Sequence, residues 1–275
     1  MRTALADVAG SPGDARRGSR GGPAVQLDQL RHVFAGDPPV EAVADVSLEV
    51  ERGSFVSLLG PSGCGKSTVL RVLAGLLEPS GGRALIDGED AVGKTGLAAF
   101  MPQRDLLLPW RRAEANAVLG AEIAGVPREE ARRQARELYE RFGLAGFERA
   151  WPGQLSGGMR QRLALLRTFL MPRQTLLLDE PFGALDALTR RGMQVWLEGV
   201  WARDRRTVLL VTHDVEEALL LSDVVYVMTP RPGRIAARIE VELARPRETA
   251  ETTTGAFTRL KAAVLEALET DGAAG

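Results

Sequence analysis

The segment Gly60-Pro61-Ser62-Gly63-Cys64-Gly65-Lys66-Ser67 places glycines, one lysine and one hydroxyl at the spacing G-x-x-x-x-G-K-[ST]. An apolar run ends at Gly60 and a helical pattern begins at Ser67. Glycines at these positions let successive backbone N–H groups turn inward around phosphate oxygens. A helix N-terminus at the same place adds positive dipole charge. Lys66 is expected to reach the β- and γ-phosphates and Ser67 to ligate Mg²⁺. The expected nucleotide set is therefore Gly60, Pro61, Ser62, Gly63, Cys64, Gly65, Lys66, Ser67 and Thr68. The chain has only three lysines (Lys66, Lys94 and Lys261) among its 35 basic residues. A compact ammonium, rather than a guanidinium, suits a phosphate at position 66. Cys64 reads either as a small hydrophobe or as a thiol activated by Lys66 and the helix start.

Three further segments carry polar groups in places where chemistry is possible. Thr175 to Leu178 is an apolar strand pattern that runs into Asp179-Glu180. Beside a phosphate loop, Asp179 would hold the metal through water and Glu180 would polarise the attacking water. The alternative is that the two carboxylates cap the turn at Pro181. His213 ends the apolar run Thr207 to Thr212, at the strand edge where α/β proteins place ligands. It is placed to bond a γ-phosphate oxygen, or else simply to neighbour a helix cap at Asp214. His32 has no such context and is expected to be a solvent-facing strand residue. Ser156-Gly157-Gly158 supplies an N-cap and two glycines at the start of a helix. That makes a second anion-binding terminus, and one ATP has no evident need of two from a single monomer. A terminus closing over ATP bound to another copy resolves this.

The elements that must hold these groups follow from periodicity. Val25 to Leu30 and Val46 to Val50 alternate as half-buried strands, and Ser54 to Leu59 reads as a buried strand. Arg83 to Asp87 and Leu97 to Met101 read as short strands. Residues 112–125 and 128–142 carry helical spacing with many Arg/Glu pairs, and Pro127 gives a helix start between them. A third helix begins near Gly157, with Met159, Leu163, Leu166 and Leu170 on one face. Strand–helix alternation then resumes through Ala187–Arg203, Thr207–Val211, Asp214–Leu221 and Asp223–Met228. The expectation is an α/β phosphate-loop core with a mostly parallel sheet, an antiparallel β subdomain and an inserted helical subdomain at about 104–170. Residues 1–24 read as a disordered tail, 25–245 as the main domain, and 246–275 as an extension with one short amphipathic helix (Phe257, Leu260, Val264, Leu268).

Composition narrows the function classes. The 275 residues carry 35 Lys+Arg against 36 Asp+Glu, a balance unlike that of a strongly basic nucleic-acid binder. One cysteine and two histidines leave no disulfide framework and no Cys/His zinc site. No apolar run approaches the roughly 20 residues that a membrane-spanning helix needs.

Taken in order, the phosphate loop, Gln103, the LSGGM segment at 155–159, LLLDE at 176–180 and His213 resemble the ATP-binding-cassette ATPases. The resemblance covers roughly residues 25–240, and Gly183 to Asp186 sits where that family's D-loop follows the acidic strand. It implies a head-to-tail homodimer with two ATPs between phosphate loops and LSGG segments. It also implies that Gln103 links Mg²⁺ to a transmembrane partner. Phe34 falls where the family often stacks a tyrosine on adenine. A benzyl face there offers about 1–3 kcal/mol by analogy with base–aromatic stacking. More narrowly, Met101 to Trp110, Asp179 to Arg190 and Pro230 to Ile235 look like the ATPase subunits of nitrate/sulfonate/taurine-type importers. Importers of thiamine-precursor pyrimidines look similar. The extension after residue 245 is too short for the regulatory domain that some importer ATPases carry.

The resemblance implies an ATPase subunit on the cytoplasmic face of the inner membrane, with permease subunits as partners and an extracytoplasmic solute-binding protein acting through them. The other reading is a soluble cassette ATPase of a cytosolic assembly or repair complex. Leu106 to Leu108 and Trp110 discriminate the two: exposed, they want a partner; buried, they are core.

Overall fold

The computed structural model describes residues 22–270, so nearly all of the expected tail lies outside the described residues. In chain order the elements are β1 (Val25–Phe34), β2 (Val40–Val50), β3 (Phe55–Leu59), α1 (Lys66–Leu73), β4 (Gly81–Ile86), β5 (Glu89–Asp90) and β6 (Ala99–Met101). The helices α2 (Ala113–Ala117), α3 (Leu119–Ile123), α4 (Arg128–Tyr139) and α5 (Gly157–Phe169) follow. Then come β7 (Thr175–Asp179), α6 (Ala187–Asp204), β8 (Thr207–Thr212), α7 (Val215–Leu221), β9 (Val224–Met228), β10 (Ile235–Glu240) and α8 (Gly255–Thr270). They fall into two compact units: Pro23–Gln103 together with residues 173 to 270, and Arg104–Pro172.

The first unit holds two sheets. The smaller is antiparallel, in the order β2-β1-β4-β5. The larger runs β10-β9-β3-β8-β7-β6, and all its pairs are parallel except β10 with β9. β3, β7 and β8 are buried along their whole length, which explains their unbroken Leu/Val character. Register decides where the functional groups emerge. Leu59 pairs with Thr212, Asp179 with Val211, and Met101 with Leu178. The residues just past these strands (Gly60, Glu180, His213 and Gln103) therefore share one edge of the sheet, the carboxyl edge on which open α/β sheets bind ligands.

Several elements differ from the sequence reading. β1 buries Val25 and Leu27, then Leu30 and His32, so its alternation shifts by one residue at Gln29. Gln29 has φ 49° and a bulge breaks the register there. The shift overturns the solvent-facing expectation for His32, which is 6% exposed and meets Phe34 edge-on with ring centroids 4.4 Å apart. β2 starts six residues earlier than its alternation suggested, β6 loses Leu97 and Ala98, and β10 carries too mixed a pattern to have been read as a strand. In α8, Phe257 and Val264 are fully buried in a cluster with Leu59, Leu219 and Val227.

The second unit packs α2 to α5 around Ala117, Ala121, Ala135, Phe142, Leu163 and Leu166. The helix expected over 112–125 is two short helices, broken at Val118, where ψ relaxes to −8°. The buried Asn116 side chain lies at the end of α2. It accepts from the Leu108 N–H (2.8 Å) and donates to the carbonyls of Leu108 (3.1 Å) and Arg111 (2.9 Å).

Candidate nucleotide site

The phosphate loop leaves β3 at Gly60 and enters α1 at Lys66. Gly63 and Gly65 have φ 80° and 101°, in the left-handed region open to glycine. A Cβ on Gly65 would also lie 2.6 Å from the Ala42 carbonyl oxygen. Lys66 is 4% exposed, and its Nζ donates to the carbonyls of Gly60 (2.7 Å) and Pro61 (2.8 Å), so the ammonium is folded into its own loop. Cys64 is 1% exposed, in the core beneath the loop, with Sγ 3.6 Å from that Nζ. Burial gives Cys64 the role of a small apolar filler and removes the premise of an accessible, activated thiol.

A cavity of about 250 Å³ opens over the loop. It is lined by Ser62, Gly63, Gly65, Lys66, Ser67 and Thr68, by Gln103 and Glu180, and by Phe34, Val40, Ala42 and Arg231. One end is thus donor-rich and cationic, and the other presents a partly exposed phenyl ring and aliphatic side chains, as a nucleotide requires. Arg231 escaped the sequence reading because it sits on an ordinary-looking Pro/Gly turn. Gly233 of that turn donates to the Ala42 carbonyl (3.0 Å) and accepts from the Ala44 N–H (2.9 Å), which seats it against β2.

Around the metal-side strand the groups converge. Ser67 Oγ donates to Asp179 Oδ1 at 3.0 Å. Burial pushes the Asp179 carboxyl up and the Ser67 bond opposes it; Glu180 raises it further, while Arg71 and Lys66 pull it down. A buried carboxylate whose charge is penalised, bonded to a hydroxyl at the foot of a phosphate cradle, fits a divalent cation. Glu180 follows with φ 47°, a backbone state held by its N–H bonding the Val211 carbonyl at 2.9 Å. Its Oε2 accepts from Gln103 Nε2 (3.1 Å) and its Oε1 lies 3.3 Å from His213 Nδ1. Glu180, Gln103 and His213 therefore form one cluster, and Asp214 beside them separately caps α7.

Ser156, Gly157 and Gly158 belong to the helical unit. Ser156 Oγ caps α5 by accepting from the Met159 N–H at 3.2 Å; Gly157 is exposed and Gly158 half-buried. In the same unit Leu107 is buried, whereas Leu106 (φ 44°) is 59% exposed and Trp110 is 70% exposed. Asp105 accepts from Arg160 Nε (3.0 Å), Arg167 donates to the carbonyls of Asp105 (2.6 Å) and Leu106 (3.0 Å), and Asn116 holds Leu108. The loop is fixed with two large apolar side chains in water.

A second cavity, of about 210 Å³, is lined by residues that include Arg190, Gln194, Asp214 and Glu217. Glu217 is 4% exposed, and its Oε2 accepts from Gln194 Nε2 at 3.1 Å. Burial raises its pKa from 4.5 to about 7; a Thr212 bond opposes the rise, Asp214 adds to it, and Gln194 and Arg190 reduce it. A carboxyl with a raised folded pKa contributes stability below its unfolded value and loses that contribution as pH climbs through about 7. Glu217→Gln mimics the protonated form. Relative to wild type, the variant is expected to gain up to about 3 kcal/mol between pH 5 and pH 8. Denaturation midpoints across that range check this, and parallel curves for the two proteins would contradict it.

Comparison with known proteins bears on the same segments. A family profile described as ABC transporter matches residues 43–183. An uncharacterized ABC transporter ATP-binding protein of Methanocaldococcus jannaschii is 42% identical over 225 residues, 82% of this chain and 84% of that relative. The taurine import ATP-binding protein TauB of Rhizobium johnstonii is 45% identical over 207 residues, 75% of this chain and 79% of its own. A solved ATP-binding cassette, described as a dimer in a post-hydrolysis state bound to ADP and Pi, superposes with TM-score 0.72 at 28% identity. It covers 80% of this chain and 100% of its own.

Proposed function

We propose that this chain, which belongs to the ABC transporter family, is the ATP-hydrolysing subunit that energises a membrane importer for a small solute of the nitrate, sulfonate or taurine kind. One observation carries the hydrolytic reading: the Glu180 carboxylate lines the phosphate-loop cavity within reach of both Gln103 and His213. Relatives named as taurine import ATP-binding proteins support the importer reading.

In this reading Phe34 stacks on the adenine and the loop N–H groups with Lys66 hold the phosphates. Ser67, Asp179 through water, and Gln103 would hold Mg²⁺, which would supply positive charge to the β- and γ-phosphates when bound. Glu180 takes a proton from a water molecule as its oxygen attacks the γ-phosphorus and the bond to the β-phosphate oxygen breaks, giving ADP and phosphate. His213 donates to a γ-phosphate oxygen and steadies Glu180. Ser156, Gly157 and Gly158 of one copy close over the ATP of a second, so the working unit is a homodimer. The described similarity to a dimeric cassette supports that arrangement.

The exposed Leu106 and Trp110 favour a permease as partner, with a solute-binding protein acting on its outer side. No described helix is long and apolar enough to cross a membrane. We place the subunit peripherally, on the cytoplasmic face of the inner membrane. Capture of Glu180→Gln protein with ATP from detergent-solubilised native membranes tests this. A polytopic permease is expected to come with it, and to be lost on adding Trp110→Ala while ATP binding persists. Soluble partners alone would support the cytosolic assembly reading instead.

A further inference from the structure

Two loops that meet at Glu180 are tied together by a residue outside the nucleotide cavity. After Glu180 the chain turns tightly: Gly183 N–H bonds the Glu180 carbonyl (3.2 Å) and Leu185 N–H bonds that of Phe182 (3.0 Å). Asp186 then caps α6, its Oδ1 accepting from Leu188 (3.1 Å) and Thr189 (3.0 Å). One turn into the helix stands Arg190. Its Nη2 donates back to the Leu185 carbonyl (3.1 Å), and its Nη1 lies 3.7 Å from Asp214 Oδ2. Asp214 is itself fixed: its N–H bonds Thr212 Oγ1 (3.0 Å) and its Oδ1 accepts from Glu216 (2.9 Å) and Glu217 (3.1 Å). Between Thr212 and Asp214 sits His213, 3.3 Å from Glu180.

The contacts close a ring: Glu180, the turn to Leu185, Arg190, Asp214, His213 and Glu180 again. We propose that Arg190 is a positioning residue for hydrolysis, holding the turn after Glu180 and the His213 loop in one register. The inference rests on the roles given above to Glu180 and His213. One guanidinium spans both loops because its two terminal nitrogens address two acceptors at fixed spacing, which a lysine does less well. Among the described residues its Nε–H is buried without a partner. Glu180 holds a left-handed backbone that such a ring helps to maintain. Because Arg190 does not line the nucleotide cavity, its loss is felt in turnover rather than in ATP affinity.

Steady-state ATPase kinetics of the full-length chain test this. Misplacement of a reacting group costs up to about a hundredfold, so Arg190→Met is expected to lower kcat by about ten- to a hundredfold. KM for ATP should stay within about twofold, the signature of an interaction absent from substrate binding. Arg190→Lys should recover part of the loss. In the double variant with His213→Ala, the two losses should fall short of adding, because part of what Arg190 does passes through that histidine. If Arg190→Met fails to fold, Asp214→Asn reads the same link, since an asparagine still caps α7 while losing the charge that faces Arg190. Unchanged kcat in the Arg190→Met or Asp214→Asn protein, or losses that add in full to His213→Ala, would overturn the proposal. Unchanged kcat in His213→Ala itself would instead overturn the catalytic assignment on which it rests.

Discussion

Replacing Glu180 by glutamine should slow ATP hydrolysis by about 10²–10⁴-fold, the usual contribution of a positioned general base. The substitution keeps the side chain's length and one oxygen acceptor. Gln103 Nε2, now 3.1 Å from Oε2, can still donate to that oxygen. What is lost is the capacity to accept a proton from water. ATP binding should be nearly unaffected, since the cradle formed by Lys66 and the loop N–H groups is untouched. Turnover measured at saturating ATP, beside an equilibrium binding constant, separates the two quantities. Wild-type turnover in Glu180→Gln would remove Glu180 from the chemistry and leave its left-handed backbone without a functional reason.

Lys66→Ala should produce the complementary defect. The ammonium is buried and already aimed into the loop through the Gly60 and Pro61 carbonyls. Hydrogen bonds to charged groups contribute about 1.5–3 kcal/mol, so ATP affinity should fall by about ten- to a hundredfold. Turnover should fall further, because losing one preorganised donor to developing charge costs about 10²–10³ in rate. Titration with a fluorescent ATP analogue reads the affinity directly. An unchanged dissociation constant would mean that the lysine serves the loop's own fold and not the phosphates.

Much of this site could be read from the chain alone because its parts are local. The phosphate loop is eight consecutive residues whose glycines and lysine answer to backbone geometry and charge. Asp179-Glu180 and His213 each terminate an uninterrupted apolar strand, so parallel pairing alone brings them to one edge. The readings that failed needed information the local pattern does not hold. A single extra residue at Gln29 inverts the alternation of β1 and turns His32 inward. The break at Val118 splits a helix whose side-chain spacing looked continuous. Arg190 and Asp214 are separated by most of α6 and all of β8, and their meeting depends on how α6 and α7 pack. The fixing of Leu106 and Trp110 depends on Arg160, Arg167 and Asn116, ordinary residues until the fold brings them to one loop. Arg231 enters the cavity only because the turn through Gly233 docks on β2.

Light scattering of the Glu180→Gln protein, with and without ATP and Mg²⁺, tests the shared site most directly. A 29.6 kDa monomer is expected without nucleotide, and a particle of twice that mass with ATP, holding one ATP per copy. A monomer that binds ATP and stays a monomer would contradict the shared site. So would a dimer whose population ignores ATP.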